Sequence, residues 1–418
     1  MILKNYDAVI IGCGAAGMSA AIAIRSQGFS VAIIDREKYM GGILLQCIHN
    51  GFGLHHFKEE LTGPEYAERL ANEVTSLGIE TFLGTTVLDM NTKEEIKTLY
   101  ACTHASDLYQ FNSRAVVLAM GCRERNRGNI GTAGTRPSGI YTAGLAQRLL
   151  NIDGYLPGRN IVIIGSGDIG LIMARRLTWS GCSVKAVVEI MPTPSGITRN
   201  IVQCLEDFSI PLYLSHAVTK IEGRDRVEKV EVAPLEHNTP NMEKSFGIEC
   251  DTVLLSVGLI PENELSEKAG IDINRDTSGP YIDSHLMTNN PGVFACGNVL
   301  HVHDLVDFVS EESARCGDHV AKYLRGQEID EIQYKVKPGA NMKYVVPNRY
   351  TATQENHFYM RPLISKSDAA LEVTCNGKTI REKKLHRVQP SEMISLVLSA
   401  SDLAISSGED NALEISVR

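Results

Sequence analysis

Val9-Ile10-Ile11 runs directly into Gly12-Cys13-Gly14-Ala15-Ala16-Gly17, and Val162-Ile163-Ile164 runs into Gly165-Ser166-Gly167-Asp168-Ile169-Gly170. Each is a short β-branched strand feeding a glycine-rich turn, and the segments that follow read as helices ending at Gly28 and Gly181. Sliding one segment onto the other aligns Gly14 with Gly167, Gly17 with Gly170, Ser30 with Ser183 and Val31 with Val184. The chain therefore repeats a whole strand-turn-helix-strand unit, and two such turns point to two bound dinucleotides.

Glycine is needed there because a backbone must approach a pyrophosphate closely. The first glycine allows the tight turn, the second leaves no side chain between main chain and phosphate, and the third lets the helix pack on its strand. The helix N-terminus then presents free N–H groups and a partial positive charge. Gly12, Gly14, Ala15, Ala16 and Gly17 are the expected contacts in the first unit, and Gly165, Gly167, Asp168, Ile169 and Gly170 in the second. An acid at the end of each second strand should accept from ribose hydroxyls. Asp35 follows Val31-Ala32-Ile33-Ile34, and Glu189 follows Ala186-Val187-Val188.

The remaining composition narrows the class. A length of 418 residues allows two or three domains, and a net charge of −9 leaves no electrostatic footprint for nucleic acid or an anionic membrane. No run approaches the roughly 20 apolar residues of a membrane span, and the start lacks a charged leader before an apolar core, so a cytoplasmic location is expected. The ten cysteines are scattered without a CxxC or CxxxxC pair, which excludes a local dithiol and a zinc ribbon.

Along the chain, a helical pattern covers about Tyr66 to Leu77, an apolar strand Ala115–Ala119 closes on Met120-Gly121, and Gly121 to Gly128 is an arginine-rich stretch. Those arginines suit either a solvated hinge or a phosphate contact. Thr252 to Ser256 mirrors the Ala115–Ala119 strand, and a helix is expected from about Leu305 to Leu324. Past Gln327 the pattern turns to short alternating segments, with Asn376-Gly377 as a hairpin turn and strands at Ile394–Leu398 and Leu413–Val417. The expected architecture is α/β. One dinucleotide-binding domain (1–124 and 251–326) carries a second inserted into it (125–250), and an all-β, immunoglobulin-like module (327–418) follows, serving to dock a partner or to lend stability.

These motifs resemble the flavoproteins with two dinucleotide-binding domains, which include thioredoxin-reductase-like and NADH oxidase enzymes. The resemblance covers residues 5 to 326 and rests on the two fingerprints, Gly41-Gly42, Ala119-Met120-Gly121, Gly258-Leu259-Ile260-Pro261 and the late Gly297 segment. It implies that the first turn holds FAD and the second a nicotinamide dinucleotide. It adds Arg36, Gly41, Gly42, Gln46, Ala119, Gly121, Gly258, Gly297, Asn298 and Leu305 as cofactor contacts. The stretches Gly41–Gly53, Thr135–Gly144 and Cys296–Asp304 are similar to a subgroup of NADH oxidase, opine oxidase and hydrogen cyanide synthase subunits. Members of that subgroup accompany a second flavoprotein of glycerol-3-phosphate dehydrogenase or amine oxidase type. The family's late motif usually ends Gly-Asp; here it is Gly297-Asn298, which keeps a hydrogen-bonding group at the ribityl chain without the negative charge.

The resemblance implies hydride transfer from the nicotinamide to the flavin, with the protein supplying orientation. Glu189 favours NADH over NADPH, because a carboxylate repels a 2′-phosphate and Ile190 to Thr193 offers no arginine to receive one. The helix N-terminus at Leu305 to Asp307 is expected to face the reduced flavin's negative charge. Cys47, His49 and His303 are the candidate catalytic residues, with His301 beside them, each open to a packing role as well. No metal is expected from His301, His303 and Asp304. Two functions fit: an NADH:acceptor oxidoreductase delivering electrons to oxygen or a partner flavoprotein, and a nucleotide-loaded structural subunit. A second flavoprotein subunit or a homodimer is the expected assembly.

Overall fold

The computed structural model describes residues 1–327, 333–403 and 411–418. The chain forms two compact units, one from Met1–Cys122 together with Pro261–Arg418 and one from Arg123–Ile260.

The first unit is organised on a seven-stranded sheet. Strand Ile2–Ile11 lies between Val31–Ile34 and Leu108–Leu118, parallel to both, and Glu80–Phe82 extends the edge beyond Val31–Ile34. Val9, Ile10, Ile33, Val116 and Val117 are fully buried on both faces of this sheet, which is why their segments read as unbroken apolar runs rather than alternating ones. The two halves of Leu108–Leu118 have different neighbours on the far side. Lys97–Thr103 pairs antiparallel with its first half, and Val293–Ala295 pairs parallel with Val116 to Leu118. The chain thus returns to this sheet after the second unit.

Three helices cover the sheet. Gly63–Ser76 begins at a reciprocal Thr62–Glu65 capping box with Pro64 in its first turn, a start signal that the sequence carries outright. Ala15–Ser26 and Val306–Leu324 pack closely, because Gly317 has no side chain: a Cβ there would stand 2.6 Å from both the Ala20 carbonyl oxygen and the Ala23 Cβ. Among the described residues no helix is long and apolar enough to cross a membrane.

The second unit has a five-stranded parallel sheet in the order Ile140–Thr142, Thr252–Leu255, Asn160–Ile164, Ser183–Val188, Leu212–Tyr213. Thr252–Leu255 is a central strand of it, so the expected break at 250/251 is corrected to Ile260/Pro261. The mirror-image strand closes its own unit, as the repeat requires. The first break likewise moves from 124/125 to Cys122/Arg123. In the arginine-rich stretch, the Arg127 guanidinium donates to the carbonyls of Thr132, Ala133 and Thr135, which makes it a local brace rather than a phosphate ligand.

Residues 333–403 and 411–418 form a mainly β module with one short helix, Ala400–Leu403, and with a five-stranded and a three-stranded sheet around a core that includes Phe358, Met360, Leu371, Leu398 and Ile415. Asn376 and Gly377 both take positive φ, 51° and 76°, at the turn between Lys366–Cys375 and Lys378–Val388. The expected boundary at 326/327 borders residues 328–332, which lie outside the described residues. This module is not a loose appendage, since Tyr344 and Val346 belong to the same core as the large sheet. Replacing Gly317 with valine should destabilise the first unit by about 3 kcal/mol through overpacking, read as a lowered thermal unfolding midpoint. An unchanged midpoint would show that the two helices separate freely.

Candidate functional site

Both glycine turns are held by the same device. At the first, Asp35 accepts from the Cys13 N–H at 2.6 Å and the Glu37 N–H at 2.7 Å. At the second, Glu189 accepts from the Ser166 N–H and the Met191 N–H, each at 2.9 Å. Cys13 and Ser166 occupy equivalent places in the repeat, so a strand-end carboxylate clamps the neighbouring turn in both units.

The first turn is open to a ligand. Gly12 sits at φ 111°, and a Cβ on it would lie 2.2 Å from the Ala119 carbonyl oxygen, while a Cβ on Gly17 would meet the Gly12 oxygen at 1.8 Å. A Cβ on Gly14, by contrast, would meet nothing within 4 Å. Helix Ala15–Ser26 has no side-chain cap and no acid in its first turn, which leaves its N–H groups for an anion. Gly42 packs beside Gly14, Gln46 is buried below, and Arg36 is exposed beside Asp35. These features fit the diphosphate and ribose of FAD.

The late segment completes this unit. Gly297, at φ 73°, faces Ala16, and its N–H donates to Glu312 Oε1 at 2.7 Å. Asn298 Oδ1 accepts from the His303 N–H at 3.0 Å, and its amide faces Cys122 Sγ at 3.8 Å. An aspartate would have no amide to offer that sulfur. Leu305 forms the N-cap of helix Val306–Leu324 without a side-chain bond. Asp307, buried in the first turn, accepts from the N–H groups of Gly53, His55 and His56, tying the loop after Cys47 to the helix start.

The three candidate catalytic residues separate in character. Cys47 donates to the Ile43 carbonyl at 3.3 Å, and burial pushes its thiol up to about 12. A thiol held protonated in this way suits packing better than nucleophilic chemistry. His49 lies against Phe52 with ring centroids 5.0 Å apart. His303 is buried in a cluster with His301 and Glu312. Glu312 Oε2 lies 3.3 Å from His301 Nε2 and Glu312 Oε1 lies 3.3 Å from His303 Nε2. Burial lowers His301 to about 4. Burial alone would raise the Glu312 carboxyl, but the facing His303 and His301 hold it below the usual range. Sequence reasoning misses Glu312, although a charged residue one turn from Val309 and Cys316 on a buried helix face is the available signal.

The all-β module reaches this loop directly. The Arg361 guanidinium donates to the Val302 carbonyl at 3.1 Å and to Asp304 Oδ1 at 2.5 Å, and the Met393 N–H donates to Asp304 Oδ2 at 2.6 Å. Tyr344 and Tyr359 lie against the His301 ring. Asp304, weighed in the sequence as a neighbour of the two histidines, is a bracket for the module.

In the second unit Gly165 sits at φ 88° against the Ser256 carbonyl, Gly170 packs on Ser256, and Gly258 takes φ 99°. Its turn is furnished differently from the first. Glu189 is 4% exposed, and its Oε2 also accepts from the Ser166 and Ser195 hydroxyls at 2.6 and 2.9 Å. Asp168, in the first turn of helix Asp168–Trp179, accepts from the Ile197 N–H and the Asn200 amide. The segment after Glu189 therefore folds back over the turn, with Ser195 and Asn200 as contacts no local motif announced. Ile169, beside Asp168, is half-buried.

Gly14→Ala should leave the flavin-free protein's thermal midpoint unchanged while abolishing FAD retention on gel filtration, whereas Gly17→Ala should lower the midpoint itself. Equal behaviour of the two variants would contradict the open-cradle geometry. Cys47 should alkylate slowly, since a thiol near 12 is ionised to only about one part in 10⁴ at pH 8. Its labelling rate, followed by mass spectrometry, should climb about tenfold per pH unit above that. Rapid labelling at neutral pH would restore the redox role.

The pattern of the pyridine nucleotide-disulphide oxidoreductase family matches residues 6–316. An opine oxidase subunit of Agrobacterium tumefaciens (strain Ach5) is 24% identical over 315 residues, covering 70% of this chain and 61% of that protein. The chain thus spans about three-fifths of that relative's length. The ferredoxin–NAD(+) reductase subunit of the benzene 1,2-dioxygenase system of Pseudomonas putida is 27% identical over 354 residues, covering 80% and 78%. The crystal structure of T. acidophilum thioredoxin reductase superposes with a TM-score of 0.63 at 23% identity, covering 77% of this chain and 99% of that one. The chain accordingly belongs to the pyridine nucleotide-disulphide oxidoreductase family.

Proposed function

We propose that this protein is an FAD-dependent NADH:acceptor oxidoreductase that passes electrons to a partner flavoprotein or to oxygen. The observation that carries this reading is the open first turn, where Gly14 faces empty space ahead of an uncapped helix in a chain without a local dithiol. Bound FAD and NADH would supply the hydride chemistry. The chain's own residues bind and orient: Gly12, Gly14 and Gly17 shape the diphosphate cradle, Asp35 holds the turn and the ribose, and Asn298 and Leu305 stand at the late loop expected beside the flavin. Burial raises the Cys47 thiol and the chain carries no local dithiol, which supports an acceptor outside the chain.

Preference for NADH rests on Glu189, whose carboxylate would repel a 2′-phosphate. The opine oxidase relative is itself one component of a larger enzyme by its name, which supports a partner subunit as the acceptor. The all-β module, which we read as immunoglobulin-like, braces the 301–304 loop through Arg361 in addition to any docking role.

A second reading, a nucleotide-loaded structural subunit, draws on the second turn. There Ser166 and Ser195 already occupy Glu189, and a ribose would have to displace a hydroxyl or share Oε1. Anaerobic stopped-flow absorbance decides between them. NADH should bleach the bound flavin, with NADPH poorer by about tenfold or more in kcat/KM as expected for an acid at the ribose. A flavin that stays oxidised under NADH leaves only the structural reading.

A further inference from the structure

We propose that His301, His303 and Glu312 bind a divalent first-row transition cation, zinc or iron(II), behind the late loop of the first unit. The donor atoms of the three side chains lie within 4.8 Å of one another, and all three residues are buried. The site requires no FAD and no NADH, so it stands or falls apart from the function proposed above.

Hydrogen bonding alone leaves the cluster poorly satisfied. A charge-assisted N–H···O⁻ bond settles near about 2.8 Å, yet both imidazole-to-carboxylate separations are 3.3 Å. Both ring nitrogens of His303 and the Nδ1 of His301 are buried without a hydrogen-bond partner. A buried polar atom left in that state is costly, and native interiors rarely keep three of them together. By contrast, metal–ligand bonds of about 2.0 to 2.2 Å in a tetrahedral site set donor-to-donor separations of roughly 3.3 Å. The two separations match that edge.

The donor set selects the cation. Two imidazoles and one carboxylate suit zinc with an open fourth position, or iron(II) held on one face, and do not suit calcium or magnesium, which take oxygen ligands. The neighbouring Cys316 is not among the groups whose donor atoms converge here. The carboxylate is oriented by the Gly297 N–H at 2.7 Å, which supplies the outer support such ligands need. The nearby guanidinium groups are each neutralised, Arg361 by Asp304 and Arg315 by Glu311. An entry path exists, since Glu312 also lines a cavity of about 320 Å³ with Arg315, Asp318, His319, His357 and Tyr359. A cation here would pin the Gly297–His303 loop to helix Val306–Leu324 and lend positive charge behind it.

The test uses the full-length protein. Metal content is measured as purified, and protein stripped with a chelator is then titrated calorimetrically with Zn²⁺ and spectroscopically with Co²⁺. We expect one equivalent per chain, visible d–d bands typical of nitrogen and oxygen ligands, and at least tenfold weaker uptake in His303→Asn and Glu312→Gln. Circular dichroism checks that the variants fold. Native zinc or native iron would each support the site and name its occupant. The proposal is overturned if the stripped wild-type protein takes up neither cation, or if both variants bind as well as wild type. A sulfur-to-cobalt charge-transfer band would also overturn it by assigning the ion to cysteines, a result readable on wild type even where a variant does not fold.

Discussion

The carboxylate-to-amide clamp at the end of each second strand is the constraint on which the molecule's two binding turns depend. Asp35 reaches the Cys13 N–H and Glu189 reaches the Ser166 N–H, so each acid reaches across to the residue after its own unit's first glycine. Because charge-assisted bonds to backbone amides are strong, the turn is preorganised before any ligand arrives. The glycines then follow as consequences. With the turn held down, Gly12 and Gly165 are pressed onto the carbonyls of Ala119 and Ser256, and neither has room for a Cβ.

From this anchor the rest of the first unit is a matter of what the turn's helix packs against. Ala15–Ser26 can lie close to Val306–Leu324 only because Ala23 and Gly317 are small. That contact brings the late loop, Gly297 to Leu305, against the start of the same helix at Ala16. The all-β module then fastens the loop from outside through Arg361 and Asp304. A region that in sequence looks like an independent tail thus shares its energetics with the dinucleotide turn.

Much of this is legible in the residues alone. The two turns, the doubly buried strands, the helix beginning near Leu305 and the Asn376-Gly377 hairpin each carry a local signal: glycine at a forced φ, an unbroken apolar run, an amphipathic period. What escapes depends on groups distant in sequence. The domain break beside Thr252–Leu255 is set by pairing partners, here Asn160–Ile164 and Ile140–Thr142, and not by any local pattern. Glu312 reads as one more helical acid until the fold places it under His301, and Ser195 becomes a partner of Glu189 only when its loop closes. At Cys47 the two readings open in the sequence likewise turn on surroundings that no local motif carries. Its position after Gly41-Gly42 suggests chemistry, but burial decides whether a thiol ionises.

The two copies of the repeated unit differ at the first residue of the helix that follows the turn. Ala15 opens the first helix with a neutral methyl group, whereas Asp168 opens the second with a carboxylate. A pyrophosphate arriving at the first meets only donors, while at the second it meets a like charge that Asn200 and the Ile197 amide draw aside. Repulsion of that kind shortens residence time far more than it slows arrival. On the function proposed above, the first turn is thereby the better furnished to keep its nucleotide through many turnovers, and the second to release it after each.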